Sequence, residues 1–287
     1  MKTFPTRGCR QFSRAYNRLR NGEEPVAPHD SLPHAKNFLY MLTGEEPDDV
    51  AAETFDIALI LHADHGLNAS TFTAMTIAST QADIYNAVVV GIAALSGPLH
   101  GGANTAGCNC FNISATPRSR NSLHTYSRQY NQDVMQTLIE IDESDESPDE
   151  WTRRAIEEGR RILVGWGHRV YAIKDPRATI LQERSHALAQ STGETKWCEY
   201  TEAIEEYLTG EEGLVEEGVP PNVDFYSGSV YYQLGIPVDI YTPIFAMSRV
   251  GGWVAHVREY VTDNRLIRPR GQYVGHERRD VVPIDER

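Results

Sequence analysis

The chain has 287 residues, 40% of them hydrophobic, and a formal net charge of −13. That length allows one large domain or two smaller ones with a real core, and the acidic balance argues against nucleic acid as a partner. No stretch nears the roughly 18 apolar residues of a membrane span, and the start "MKTFPTRGCRQFSRAYNRLRNG" lacks a secretory apolar segment, so the expected location is cytoplasmic, with no membrane partner.

Lysine is scarce. Lys2, Lys36, Lys174 and Lys196 are the only lysines among 27 basic residues. A carboxylate-rich, lysine-poor surface stays hydrated in a salt-rich cytoplasm, which points to a halophilic protein. The four cysteines, Cys9, Cys108, Cys110 and Cys198, offer one C-x-C and no second pair. Structural zinc needs four ligands at suitable spacing, so free thiols and no metal are expected.

Helical periodicity dominates from the start of the chain, and strand signals are few. "HAKNFLYMLTG" (34–44) ends on a Gly stop, and "EEPDDVAAETFDIALILHADHG" (45–66) opens with acids and becomes strongly apolar. The longest predicted helix is "STFTAMTIASTQADIYNAVVVGIAALSG" (70–97), with Ser and Thr to cap it. Its many small residues suit a close neighbouring helix or a subunit interface, and Gly97-Pro98 ends it. Residues 105–131 lose the periodicity and read as an inserted loop, and "QDVMQTLIEI" (132–141) resumes a helix. Ser147-Pro148-Asp149-Glu150 forms a capping box with Pro at the first helical position. Further helices are predicted over 178–192, 197–210 and 240–264, with an apolar segment over 221–237 after a turn. The fold class is mainly α.

Polar groups concentrate in four turn-rich segments: "HADHGLN" (62–68), "GPLHGGAN" (97–104), "GWGHRVYAIKDPR" (165–177) and "NVDFYSG" (222–228). His62 and His65 are three apart and would share a helix face, yet H-x-x-H without a third fixed ligand is a weak metal signal. Together the histidines, the aspartate and the arginines make an acid/base set with an anion clamp. Such a set predicts proton abstraction beside a carbonyl, on a substrate bearing carboxylates.

At these residues the chain resembles the citrate synthase family. "LILHADHGLNASTFTAMTIAST", "GIAALSGPLHGGAN", "GHRVYAIKDPRA", "PNVDFYSG" and "RPRGQYVG" match its signatures in order, over most of residues 22–276. The likeness is greatest to the shorter archaeal and bacterial type. It implies a two-domain helical homodimer: 1–101 and 236–287 as the large domain, 102–235 as the small domain that closes over the substrates. The implied enzyme is an acyltransferase that turns acyl into alkyl, condensing acetyl-CoA with oxaloacetate and water to citrate and CoA. A 2-methylcitrate synthase using propionyl-CoA, or an impaired homologue, is the alternative. No permanent cofactor is implied; coenzyme A enters as acetyl-CoA.

The resemblance also implies residue roles. Asp224 matches the base, His100 the histidine at the acetyl carbonyl, and His168 the one at the oxaloacetate carbonyl. His65, Arg177, Arg249 and Arg268 match the carboxylate-binding groups, with Arg268 donated across the dimer interface. Leu163, Val164, Gly165, Trp166 and Gly167 match the loop that recognises the CoA adenine. Because Ala172 stands where the family usually has Lys, Lys174 or Arg169 is expected to compensate near the CoA phosphates. Gly66 stands where the family commonly has an acid, and residues before about 20 match poorly, so a shortened start is expected.

Overall fold

The computed structural model describes residues 15–97, 100, 131–158, 165–167, 171–276 and 282–286. His168, Arg169, Leu163, Val164 and the stretch 105–130 lie outside the described residues. Among the described residues there is no strand; the single isolated bridge joins Trp166 and Pro221. No helix there is long and apolar enough to cross a membrane.

Local signals account for most helix boundaries. Helix α1 (His34–Thr43) stops at Gly44, whose φ of 88° takes the left-handed form that glycine adopts freely. Asp48 caps α2 (Asp49–Ala63) by accepting the Ala51 N–H, and Asn68 caps α3 (Ala69–Ser79) through the Thr71 N–H. The expected single helix over 70–97 is in fact two, because α4 (Ile84–Leu95) begins afresh at Asp83. The Asp83 carboxylate accepts the N–H groups of Tyr85 and Asn86, and Gln81, at φ 67°, turns the chain between the two helices. A capping aspartate beats continued helical propensity here, and α4 packs back on α3.

After α5 (Asn131–Glu143), the expected box starts α6 (Pro148–Glu157), with the Ser147 N–H and hydroxyl both donating to Glu150. Helix α7 (Pro176–Thr192) is capped by Asp175, and α8 (Lys196–Gly210) follows. Helix α9 (Val223–Gln233) is enclosed: every residue from Val223 to Tyr231 is buried. The last long helix is α10 (Tyr241–Thr262).

Two apolar clusters form the core. The larger surrounds α9 and draws on α1, α2 and α5 to α8 through Phe38, Phe55, Leu138, Leu181, Ile204 and Tyr226. The smaller joins α3, α4 and α10 through Ala74, Ala87, Val88 and Trp253. Helix α10 serves both, giving Ile244 and Met247 to one and Val250 and Trp253 to the other. The small residues of α3 and α4 admit Trp253: a Cβ on Gly91 would stand 3.0 Å from its indole. On the α2 side, a Cβ on Gly252 would collide with the Ala63 carbonyl oxygen, so α10 touches the end of α2 backbone to backbone. The candidate site lies where these helix ends meet.

Candidate functional site

Five helix termini, the middle of α10 and one short strap supply the polar groups. His100 follows α4 and reaches the start of α3. Its Nε2 accepts the Ser70 N–H at 3.2 Å and lies 2.8 Å from the Ser70 hydroxyl. A backbone amide only donates, so Nε2 carries the lone pair and the ring proton sits on Nδ1. Burial pushes the His100 pKa down to about 4, with the nearby Arg249 charge acting in the same direction. The Ser70 amide belongs to the first turn of α3, whose N–H groups lack helical acceptors and disfavour a cation. Thus His100 is a neutral hydrogen-bond donor through Nδ1. Ser70 is itself held, donating to Asn68 Oδ1 at 2.8 Å and accepting the Trp253 indole N–H at 3.1 Å.

Arg249 on α10 is buried, donates through Nε to the His62 carbonyl at 2.8 Å, and lies over the Phe245 ring at 4.5 Å. Burial lowers its pKa to about 10, and the Arg177 charge lowers it further while Asp64 and Asp224 oppose the shift. It therefore stays cationic at neutral pH and is electrostatic neighbour to Arg177, Asp224 and His100 at once. Arg177, in the first turn of α7, pairs with the fully buried Asp175 at 2.7 Å. Two neighbouring guanidiniums, one of them paired with a buried carboxylate, form a pocket that favours an anion.

Asp224 lies in the first turn of α9 and is 9% exposed. Its N–H is capped by Asn222 Oδ1 at 2.9 Å. The strap 165–167 lies against this helix start. The Gly167 N–H donates to Pro220 O at 2.7 Å and the Asn222 N–H to Gly165 O at 2.8 Å. Gly165 has φ 95°, and a Cβ there would stand 2.9 Å from Phe225 Cα. Trp166 is buried edge-on to Phe225, with ring centroids 5.7 Å apart.

His65 is half-buried beside the Tyr171 ring, at 5.9 Å. His62, the other half of the H-x-x-H, points inward instead. It is fully buried, its Nδ1 lies 2.7 Å from the Ala58 carbonyl, and burial drives its pKa to about 3. The pair does not share a metal site, because α2 ends at Ala63 and His65 lies beyond the helix.

Two candidates sit apart from this set. Lys174 is committed elsewhere: its Nζ donates to Gln182 Oε1 at 2.7 Å and Glu205 at 2.6 Å, and lies 5.0 Å from the centre of the Tyr226 ring. With a carboxylate at hand, the ammonium turns inward rather than to open solvent. Arg268 is exposed on the segment after α10, which is anchored at the far end of α3 by Asn264 Nδ2 on Ser79 O and the Ile267 N–H on Ser79 Oγ. Nine residues of helix, about 14 Å, separate that anchor from the Ser70 end where His100 binds.

Ser70, Asn68, Asn222, Asp175 and Trp253 are the supporting residues that sequence reading did not single out. Asn68 and Asn222 carried a legible signal, an Asn before a helix start; the others act through contacts between remote segments. Among the described residues, His186, Cys198 and Glu202 are grouped closely enough to hold a metal. However, His186 faces Cys198 through Nδ1 at 3.3 Å and Glu202 through Nε2 at 2.6 Å. Opposite ring edges make this a hydrogen-bond relay rather than a converging ligand set.

Comparison with known proteins gives the family. The family model for the citrate synthase C-terminal domain matches residues 9–129 and 122–270. A citrate synthase of Haloferax volcanii is 53% identical over 95% of this chain and 63% of its own length; citrate synthase 2 of Bacillus subtilis is 46% identical over 95% and 64%. A 2-methylcitrate synthase of Corynebacterium glutamicum is 39% identical over 94% of the chain and 63% of its own. The chain thus spans a little under two thirds of these relatives. The solved citrate synthase of Pyrobaculum aerophilum superposes with a TM-score of 0.77 at 39% identity, over 97% of this chain and 62% of that one. The Thermoplasma acidophilum enzyme, solved as a ternary complex with carboxymethyl coenzyme A and oxaloacetate, gives 0.75 at 32%, over 99% and 68%. The chain belongs to the citrate synthase family.

Proposed function

We propose that the chain condenses acetyl-CoA with oxaloacetate and water to give citrate and CoA. The observation that carries this reading is the fixed tautomer of His100 beside Arg249, which is in turn an electrostatic neighbour of Asp224. Asp224 takes a proton from the acetyl methyl group while His100 Nδ1–H donates to the thioester oxygen, so charge is stabilised as it forms. The resulting carbon nucleophile attacks the oxaloacetate carbonyl, polarised by His168, and hydrolysis of the new thioester frees CoA. Arg177, Arg249 and His65 hold the carboxylates, joined by Arg268 of the partner subunit. Leu163, Val164, Gly165, Trp166 and Gly167 receive the CoA adenine. Lys174 would reach CoA phosphates only by leaving Glu205.

The active form is a homodimer in this reading. Support comes from α3 and α4, which leave Phe72, Tyr85 and Val89 48%, 55% and 62% exposed, an apolar face of the kind interfaces cover. Oxaloacetate binding closes the 102–235 domain over the rest and completes the thioester site, as induced fit does elsewhere. The acidic, lysine-poor composition supports a halophilic, cytoplasmic enzyme. The likeness to a 2-methylcitrate synthase keeps propionyl-CoA as a second acyl donor, since one methylene discriminates weakly.

The test is CoA release with acetyl-CoA and propionyl-CoA, with oxaloacetate, across salt concentrations and on protein of known oligomeric state. Faster turnover of acetyl-CoA by a dimer is expected. A folded dimer that releases no CoA from either thioester overturns the reading.

A further inference from the structure

We infer that Asn222 is a positioning residue that fixes the Asp224 carboxylate against the 165–167 strap; this rests on Asp224 being the base. Asn222 is buried, and each of its polar groups along this junction has a separate task. Its backbone N–H donates to Gly165 O at 2.8 Å. Its side-chain Nδ2 donates to Gly167 O at 3.0 Å, and its Oδ1 accepts the Asp224 N–H at 2.9 Å. One side chain therefore ties the strap to the amide of the base itself.

The surrounding contacts make the tie stiff. The bridge between Trp166 and Pro221 aligns the two segments, and Gly165 packs backbone on backbone against Phe225, the residue after Asp224. The next amide along, Asp175 N–H, donates to Pro221 O at 3.2 Å. Asp175 in turn holds Arg177. Residues 220–222 are thus a junction between the strap, the base and the anion pocket. In the sequence the strap runs directly into His168. Only an amide of this length serves. Asp caps the helix but cannot donate to Gly167 O, and Ser caps it but falls short.

The experiment compares Asn222→Ser and Asn222→Asp with the wild type and with Asp224→Asn, alone and combined. Measured are kcat, KM for both substrates, the kcat–pH profile, and exchange of acetyl-CoA methyl protons in heavy water. Asn222→Ser retains a helix cap, so folding is kept, and far-ultraviolet circular dichroism verifies it. Expected is an about 100-fold loss of kcat, the scale of a misplacement near 1 Å. The KM for oxaloacetate stays within about twofold, and the acid limb of the pH profile moves. In the Asp224→Asn background the same substitution costs no further activity, because it acts through Asp224. Wild-type kcat and an unmoved acid limb in Asn222→Ser overturn the inference, as does a loss that simply adds to that of Asp224→Asn. A wild type that neither turns over nor exchanges methyl protons instead removes the base assignment beneath it.

Discussion

Helix α9 and the pair α3–α4 flank the same site, yet they are packed in opposite ways. Helix α9 is enclosed from Val223 to Tyr231, whereas α3 and α4 bury one side and leave Phe72, Tyr85 and Val89 outward. An enclosed helix has its rotation and register fixed by neighbours all round, which suits an element that must hold a carboxylate to a fraction of an ångström. A half-packed pair gives His100 one firm contact, at Ser70, and leaves its outer surface exposed, the face on which the proposed dimer would form. The difference suggests a division of labour: accuracy inside, assembly outside.

The sharpest way to break this contrast is at the enclosed helix. Asp224→Asn removes the proposed proton acceptor but little volume, and CoA release should fall about 1,000-fold with the helical spectrum unchanged. A fall of less than tenfold would dissociate α9 from the chemistry. On the outer pair, Val89→Glu places a charge on the exposed apolar face, and sedimentation should show self-association weakened about 100-fold. Ile284→Glu, more exposed still and remote in sequence from that face, serves as the control and should change nothing.

Acid acts on both regions through two depressed histidines. His62, at about 3, and His100, at about 4, lie below the ordinary value near 6.5. Between pH 6.5 and about 4 the unfolded chain therefore binds more protons than the folded one. The neutral imidazoles' contribution is complete above pH 6.5 and declines as pH falls through that window. Urea unfolding at fixed salt should show this decline, and His100→Asn should make it shallower. The smallest effect is expected at Lys174→Met. Its pair with Glu205 is partly buried, so loss of about 1–2 kcal/mol of stability is expected. The KM for acetyl-CoA stays unchanged if the side chain remains with Glu205, and rises severalfold if it serves the CoA phosphates.

Most of the fold was legible because its signals are local. Gly44, the Asp48 cap and the Ser147–Glu150 box each act within one turn of chain, whereas Asn68, not the expected Ser or Thr, caps α3. The break at 80–83 was missed because it has neither Gly nor Pro, only a capping Asp83 within a strongly helical run. Site residues were legible as types, through histidines, aspartates and arginines at turn-rich boundaries. Their supports were not, because Ser70 to His100, Asn222 to Gly167 and Arg249 to His62 are contacts across 30, 55 and 187 positions. All three run through a main-chain group on one side, which only the fold can bring close, and no residue type announces that. Lys174 shows the converse: its identity suggested a phosphate, while Glu205, remote in sequence, claims it.

The Ser70–His100 contact has an evolutionary consequence. The donor that dictates where the imidazole keeps its proton is peptide N–H, encoded by no particular codon. Nineteen of the twenty genetically specified amino acids supply it, and only proline at position 70 would erase it. The electronic state of this histidine is therefore inherited with the backbone rather than with any side chain, and drift in the surrounding sequence leaves it intact so long as the helix still begins there.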